Sequence, residues 1–219
     1  GDMLDALIGM LPEQEGEDEE DDRPRIAVIG RPNVGKSSII NRLIGENRLI
    51  VSDVAGTTRD AVDAVVKHNG EEYVFIDTAG LRRKSRIKED IERYSIIRTV
   101  AAVDRCNIAV IVIDATQGIT EQDTHIAGIA HERGKGAIIL VNKWDAVEEK
   151  NDKSVYKFTE EIRRKFAFMP YADIMFVSAL TGQRLIKLYD EIDLVRQYQN
   201  MRIQTGVLND IMAEATAMH

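Results

Sequence analysis

The chain carries the sequence Gly30-Arg31-Pro32-Asn33-Val34-Gly35-Lys36-Ser37, and the segments on both sides give it a structural context. An apolar run precedes it at residues 26–29 and a helix-like segment follows at residues 38–43, so the order is strand, loop, helix. Glycines at both ends of the loop allow successive backbone amides to face inward, and the start of a helix adds unpaired amides and a positive dipole end. We therefore predict a phosphate-binding loop.

This loop assigns roles to individual residues. Lys36 is expected to reach the β- and γ-phosphates of a nucleotide, and the Ser37 hydroxyl is expected to ligate the Mg²⁺ ion that bridges them. The predicted phosphate contacts within the loop and the first helical turn are Asn33, Val34, Gly35, Lys36, Ser37 and Ser38.

The composition favours a soluble globular protein. Of 219 residues, 44% are hydrophobic and 30% are charged, which suits one well-buried domain with appendages. Because the sequence has no long apolar run, we predict no membrane role. The single cysteine, Cys106, excludes disulfides within the chain and favours a reducing cytoplasm.

The formal net charge of −8 is concentrated in one segment. Residues 13–22 contain eight acidic residues and no basic residue, so the remainder of the chain is close to neutral. Such a run cannot bury itself, and we interpret it as a linker whose charge says little about what the folded part binds.

Apolar runs alternate with helix-length segments from residue 25 onward, which predicts an α/β fold with a mostly parallel sheet covered on both faces. Asn69-Gly70 is a hairpin signal, so the strands on either side of it should be antiparallel. The predicted strands lie near residues 26–30, 61–68, 72–77, 107–113, 137–141 and 173–177. The predicted helices lie near residues 36–45, 88–103, 121–133, 154–167 and 183–199.

Candidate ligand-binding residues follow the predicted strands, where open α/β sheets bind their ligands. After the third strand comes Asp77-Thr78-Ala79-Gly80, in which Asp77 is expected to hold Mg²⁺ through water and the Gly80 amide to sense the γ-phosphate. The polar connection at residues 54–60 is long enough to fold over a nucleotide and offers a threonine hydroxyl to the metal.

A base-reading motif, Asn142-Lys143-Trp144-Asp145, follows the fifth strand. One carboxylate can accept hydrogen bonds from both N1–H and the 2-amino group of guanine, so Asp145 suits guanine and not adenine. Asn142 is expected to brace the loop, and the stem of Lys143 to lie along the purine face. After the last strand, Ser178-Ala179-Leu180 completes the predicted guanine site, with the Ala179 amide expected to donate to O6.

These motifs, in this order, resemble the translation-factor-related class of GTPases, in the group of Era, TrmE (MnmE) and EngA. The stretches at residues 77–84, 118–123 and 141–145 are especially similar to the second GTPase domain of the EngA family, also called Der. The resemblance covers about residues 25–200 and implies a Ras-like G domain of the P-loop NTPase type, with six strands, one of them antiparallel. It also implies that residues 1–12 are the end of a preceding G domain, residues 13–24 a linker and residues 201–219 the start of a KH-like domain.

The resemblance implies GTP hydrolysis in the cytoplasm in support of large ribosomal subunit maturation. Its implied partners are GTP, the large subunit and its rRNA, and the neighbouring G and KH-like domains. It favours Thr58 over Thr57 as a Mg²⁺ ligand. The implied nucleotide-responsive switch residues are Gly56, Thr57, Thr58, Asp77, Thr78, Ala79, Gly80 and Leu81.

Two features leave the mechanism open. Leu81 stands where Ras-like enzymes place a glutamine that orients the attacking water, so a GTP- or GDP-dependent binding module with negligible hydrolysis remains an alternative. In the related TrmE group, the asparagine matched by Asn33 helps to hold K⁺, and we carry this over as a hypothesis.

Three basic residues follow Leu81, namely Arg82, Arg83 and Lys84. We interpret them either as an RNA- or domain-docking surface or as a solvated loop.

Overall fold

The computed structural model describes residues 22–46, 63–78, 91–148, 151–202 and 204–217. Six strands form one sheet in the order β2-β3-β1-β4-β5-β6. Only β2 runs antiparallel to its neighbour, and the pairs β1–β3, β1–β4, β4–β5 and β5–β6 are parallel. The strands are β1 (Arg25–Ile29), β2 (Ala64–His68), β3 (Glu71–Phe75), β4 (Ile108–Asp114), β5 (Gly136–Asn142) and β6 (Asp173–Phe176).

Helices cover both faces of this sheet, as predicted. Two short 3₁₀ helices, Trp144–Ala146 and Leu185–Lys187, follow β5 and β6. The α-helices are α1 (Lys36–Glu46), α2 (Ile91–Arg105), α3 (Glu121–Glu132), α4 (Asp152–Lys165), α5 (Leu188–Gln199) and α6 (Thr205–Ala217). Helices α1 to α5 cover the two faces, whereas the described side chains of α6 are exposed.

Among the predicted helix starts that fall on described residues, two differ from those observed, and local chemistry explains both. The predicted start at residue 88 lies outside the described residues. Helix α4 begins at Asp152 rather than residue 154 because Asn151 caps it, accepting a hydrogen bond from the Ser154 amide. Helix α5 begins at Leu188 rather than residue 183, because Arg184 has a left-handed φ of 60° and a 3₁₀ turn intervenes.

The hairpin between β2 and β3 forms at Asn69-Gly70. Both residues have positive φ, 50° and 94°, which is the geometry of a tight two-residue turn. The turn pairs Val66 with Tyr73 across the two strands.

Separate apolar cores lie on the two sheet faces. On one face, α1 and α5 pack through side chains such as Leu43 and Ile192. On the other, α2, α3 and α4 pack through Val103, Ile126 and Ile162. Strands β4 and β5 are buried almost throughout, which explains their uninterrupted apolar sequences.

Parallel pairing collects the carboxyl ends of β1, β3, β4, β5 and β6 at one edge of the sheet. The loops that follow these strands are therefore neighbours, although they are far apart in sequence. In the described ranges, no helix has both the length and the apolar character needed to cross a membrane.

Candidate nucleotide site

The loop from Gly30 to Ser37 connects β1 to α1 and needs glycine at both ends. Gly30 has φ 145° and Gly35 has φ 101°. A Cβ atom on Gly30 would lie 2.5 Å from the Val112 carbonyl oxygen, and one on Gly35 would lie 2.2 Å from the Asn142 side-chain nitrogen. The loop therefore packs directly against β4 and against the first residue of the base-reading motif.

Lys36 crosses the loop that it follows. Its Nζ donates to the carbonyl oxygens of Gly30 at 2.6 Å and Arg31 at 2.5 Å. Helix α1 begins at Lys36, and its first turn closes with a 3.0 Å hydrogen bond from the Ile39 amide to the Gly35 carbonyl oxygen. The ammonium group and the helix start thus supply positive charge at one place, as a phosphate site requires.

The Asn142 side chain joins three loops. It is only 1% exposed at the end of β5. Its Nδ2 donates to the Val34 carbonyl oxygen at 2.8 Å, and its Oδ1 accepts from the Ala179 amide at 2.9 Å. The phosphate loop, the base-reading motif and the segment after β6 are therefore fastened to one buried amide.

The Ala179 amide has a partner that the sequence did not predict. It donates to Asn142 Oδ1, and its donation to guanine O6 in the nucleotide complex stays a prediction. The remaining residues of this segment are arranged by turn contacts: the buried Ser178 Oγ accepts from the Thr181 amide at 3.0 Å. Leu180 is 78% exposed and borders the site.

Sequence reasoning missed Asp114, the last residue of β4. Its carboxylate has no exposed surface, and it accepts from Lys143 Nζ at 2.6 Å and from the Thr116 amide and hydroxyl. Burial alone would raise the pKa of Asp114, but the hydrogen bonds from Lys143 and Thr116 outweigh burial and lower its pKa below the ordinary value. The signal was an aspartate ending a run of six apolar residues, Ile108 to Ile113, at the ligand-binding edge of the sheet.

Lys143 and Trp144 fix the position of Asp145. Lys143 has a left-handed φ of 61° and turns the chain into the 3₁₀ helix Trp144–Ala146. Trp144 is buried, and its ring packs edge-on against Phe158 and Phe176. Asp145 follows on this anchored turn and is partly exposed.

Asp77 follows β3, the neighbour of β1 in the sheet, so it lies at the same edge as the phosphate loop. It has a left-handed φ of 54°, and its amide donates to Asp63 Oδ1 at 3.1 Å. Arg105 pairs with the other oxygen of Asp63. Thr78, which follows, is buried.

The other predicted switch, metal and docking residues lie outside the described residues. They are Gly56, Thr57, Thr58, Ala79, Gly80, Leu81, Arg82, Arg83 and Lys84.

A second contact missed by sequence reasoning ties the phosphate loop to α3. Arg31 Nε donates to Asp123 Oδ1 at 2.8 Å, and this carboxylate also accepts from the Thr120 amide and hydroxyl. Thr120 and Asp123 form the capping box of α3. The spacing of a threonine and an aspartate three residues later, just before a helix, was the available signal.

Comparison with known proteins shows the family of this chain. A family model described as 50S ribosome-binding GTPase matches residues 25–143. The chain belongs to this family of GTPases. The match spans β1 to Lys143 and so includes the phosphate loop, Asp77 and the start of the base-reading motif.

A relative of this GTPase domain is GTPase Der from Lachnoclostridium phytofermentans, which is 66% identical over 218 residues. The alignment covers 100% of the chain and 49% of that protein, so the chain spans about half the length of the curated relatives it matches. The recognised similarity to a GTPase domain of the EngA (Der) family is confirmed.

Solved structures share the fold. Era in complex with MgGDPNP and a segment of 16S ribosomal RNA has 28% identity and a TM-score of 0.58, and the match covers 77% of this chain and 55% of the Era chain. An Aquifex aeolicus Era variant bound to GDP and AlF₄⁻ has 29% identity and a TM-score of 0.57, with the same shares covered. The predicted fold, a six-stranded mostly parallel sheet of the P-loop GTPase type, is confirmed.

Proposed function

We propose that this domain binds GTP with Mg²⁺, hydrolyses it to GDP and phosphate, and works as a nucleotide switch in the assembly of the large ribosomal subunit. The observation that carries the nucleotide-binding part is the position of Asn142. One of its hydrogen bonds holds the phosphate loop, 108 residues away in sequence, against the guanine motif that contains Asn142, and the other holds the segment after β6. A nucleotide has an anionic phosphate end and an aromatic base end, so the phosphate loop and the guanine motif can bind the two ends of one ligand.

Guanine selectivity is assigned to Asp145. A carboxylate on this anchored turn accepts hydrogen bonds from N1–H and the 2-amino group of guanine, whereas adenine offers no matching pair of donors. Lys143 is held by Asp114 and lays its aliphatic stem along the purine face, and Ser178, Ala179 and Leu180 border the base. The Ala179 amide is proposed to donate to guanine O6 when the nucleotide is bound.

The predicted Mg²⁺ ligands in the described part of the site fit this ion in their chemistry. Ser37 and Asp77 offer a hydroxyl and a carboxylate oxygen, which Mg²⁺ prefers, and they follow the adjacent strands β1 and β3. Thr58 is proposed as a third ligand. The ion, when bound, neutralises charge that develops on the phosphates during transfer.

Asn33 is proposed as a ligand for K⁺ that supplies positive charge near the phosphates. It has a left-handed φ of 65° within the phosphate loop. Leu81 cannot orient water through a polar side chain, so catalysis needs charge from elsewhere. The same observation favours the second candidate function, a GTP- or GDP-dependent binding module with negligible hydrolysis.

The role in the ribosome rests on relatives. The matching family is described as 50S ribosome-binding, and a complex of the related Era contains 16S ribosomal RNA. Within the longer protein, we propose that residues 1–12 and 201–219 belong to neighbouring G and KH-like domains. Residues 13–24 link the preceding G domain to this one, and the setting is cytoplasmic. The basic run Arg82, Arg83 and Lys84 is proposed as an RNA- or domain-docking surface.

Nucleotide titration and turnover test the core of the proposal. Isothermal titration should give much tighter binding of GDP than of ADP, and Lys36→Ala should abolish both. Phosphate release from GTP by the wild-type domain supports the switch enzyme, whereas binding without release supports the second candidate. Equal rates in potassium and sodium salts would remove the K⁺ role of Asn33 and leave the rest intact.

The ribosomal role needs the longer protein. We expect it to pellet with large ribosomal subunits in a nucleotide-dependent manner. Charge reversal at Arg82, Arg83 and Lys84 should reduce that binding if the run docks RNA, and unchanged binding would assign the run to a solvated loop.

A further inference from the structure

Arg42 connects the helix of the phosphate loop to the segment after β6. It lies on α1, within two turns of Lys36. Its Nη1 donates to the Leu180 carbonyl oxygen at 3.2 Å and its Nη2 donates to the Thr181 carbonyl oxygen at 3.1 Å. One guanidinium group therefore holds two successive carbonyl groups of the segment that borders the base.

Gly182 supplies a second, independent sign that this contact shapes the segment. Its φ is +81°, and a Cβ atom placed on it would lie 2.6 Å from Arg42 Nη2. Any other residue would be strained there and would displace the guanidinium group. The Thr181-Gly182 sequence thus leaves room for Arg42 where the chain turns back toward α5.

The segment has internal hydrogen bonds, but these leave its outer carbonyl groups to Arg42. The Gly182 amide donates to the Ser178 carbonyl oxygen at 2.8 Å, and the Thr181 amide donates to Ser178 Oγ at 3.0 Å. These bonds close a turn at Ser178. They do not join that turn directly to α1, which the Arg42 bonds do.

We infer that Arg42 is a positioning residue for guanine recognition, because it sets the distance between the phosphate-loop helix and residues 178–182. This inference rests on the proposed function. It concerns the base end of the site only, so it predicts an effect that is shared by every guanine nucleotide and is independent of the number of phosphates.

The planar fork of arginine matters for this role. Two N–H groups of one guanidinium can meet two neighbouring carbonyl groups at once, whereas a lysine ammonium acts as a compact single point of charge. Arg42→Lys should therefore retain only part of the effect, and Arg42→Ala should lose it.

Arg163 provides a matched control. It lies on α4, and its Nη1 likewise donates to two backbone carbonyl oxygens, those of Pro170 at 3.1 Å and Ala172 at 2.7 Å. These residues precede β6 and therefore lie at the sheet edge opposite the nucleotide site. Arg163→Ala removes the same kind of contact without touching the guanine segment.

The experiment measures dissociation constants for GDP and GMP, by displacement of a ribose-labelled fluorescent GDP, together with the melting temperature of each variant. For Arg42→Ala we expect both constants to rise by the same factor, roughly five- to twentyfold, from two weakened hydrogen bonds. Arg42→Lys should fall between wild type and alanine. Arg163→Ala should lower the melting temperature and leave both constants unchanged.

A second variant closes the test. Gly182→Ala should raise both dissociation constants. The double variant that also carries Arg42→Ala should have constants no higher than those of the weaker-binding single variant, since both substitutions act through one contact. A rise confined to GDP would place the Arg42 effect at the phosphate end and overturn the inference, as would unchanged constants in a folded Arg42→Ala protein. Failure of the wild-type domain to prefer GDP over ADP would instead reject the proposed function.

Discussion

Lys143 and Asp114 form an ion pair at the carboxyl ends of two neighbouring strands, with Lys143 Nζ 2.6 Å from a carboxylate that has no exposed surface. Asp114 is also paired with Asn142 in the register of β4 and β5. Both residues that precede the guanine-reading turn, Asn142 and Lys143, are therefore held by β4. Because the ion-pair partner of Lys143 is a buried residue of the sheet, the base-reading loop is anchored to the core.

We expect Asp114→Asn to destabilise the domain by about 1–3 kcal/mol at pH 7, because a hydrogen-bonded buried charge pair is lost. The pKa of Asp114 is lowered in the folded state, so its stabilisation is full above the unfolded value of about 3.9 and is lost as pH falls through the folded value. Urea denaturation at pH 7 and at about pH 3 should show the difference from wild type shrinking in acid.

Asp104→Asn is the control for this comparison. Asp104 pairs with Arg133, but its side chain is 54% exposed, so its loss should cost at most about 1 kcal/mol. Equal losses for Asp104→Asn and Asp114→Asn at pH 7 would contradict the importance assigned to the buried pair.

Asn142→Asp should weaken both the fold and nucleotide binding. The carboxylate retains an acceptor for the Ala179 amide but replaces the donor to the Val34 carbonyl oxygen with a repelling oxygen. We expect at least about a tenfold rise in the dissociation constant of GDP, since one lost hydrogen bond plus repulsion exceeds 1.4 kcal/mol. Calorimetric titration checks this, and a constant within error of wild type would show that the brace is dispensable.

Asp145→Asn should change the base preference of the site from guanine to xanthine. Xanthine carries a carbonyl oxygen where guanine carries its 2-amino group, and an asparagine amide can donate to that oxygen while it accepts from N1–H. Competition binding should show GDP weakened by roughly a hundredfold or more and xanthosine diphosphate strengthened. If GDP remains the preferred ligand of the variant, Asp145 does not read the base.

Local patterns predicted the sheet, its antiparallel edge pair and the positions of the loops, because alternation of apolar strands and helices is a short-range signal. They missed Asp114 and Asp123, since the importance of each depends on a partner brought close only by folding, Lys143 and Arg31 respectively. Likewise, only the packed structure shows that the Ala179 amide donates to Asn142 Oδ1.

Two glycine substitutions distinguish an effect on GDP binding from an effect on the stability of the fold alone. Gly35→Ala should abolish GDP binding and destabilise the fold by at least about 1–3 kcal/mol, because φ +101° strains any side chain and the new Cβ would lie 2.2 Å from the Asn142 amide nitrogen. Gly128, inside α3, has nothing within 4 Å of an added Cβ, so Gly128→Ala should stabilise the domain by about 0.5–1 kcal/mol without changing affinity. Thermal unfolding with and without GDP measures both effects. A Gly35→Ala protein whose melting temperature still rises with GDP would show that the loop tolerates a side chain, and the contact with Asn142 would then not be what fixes its shape.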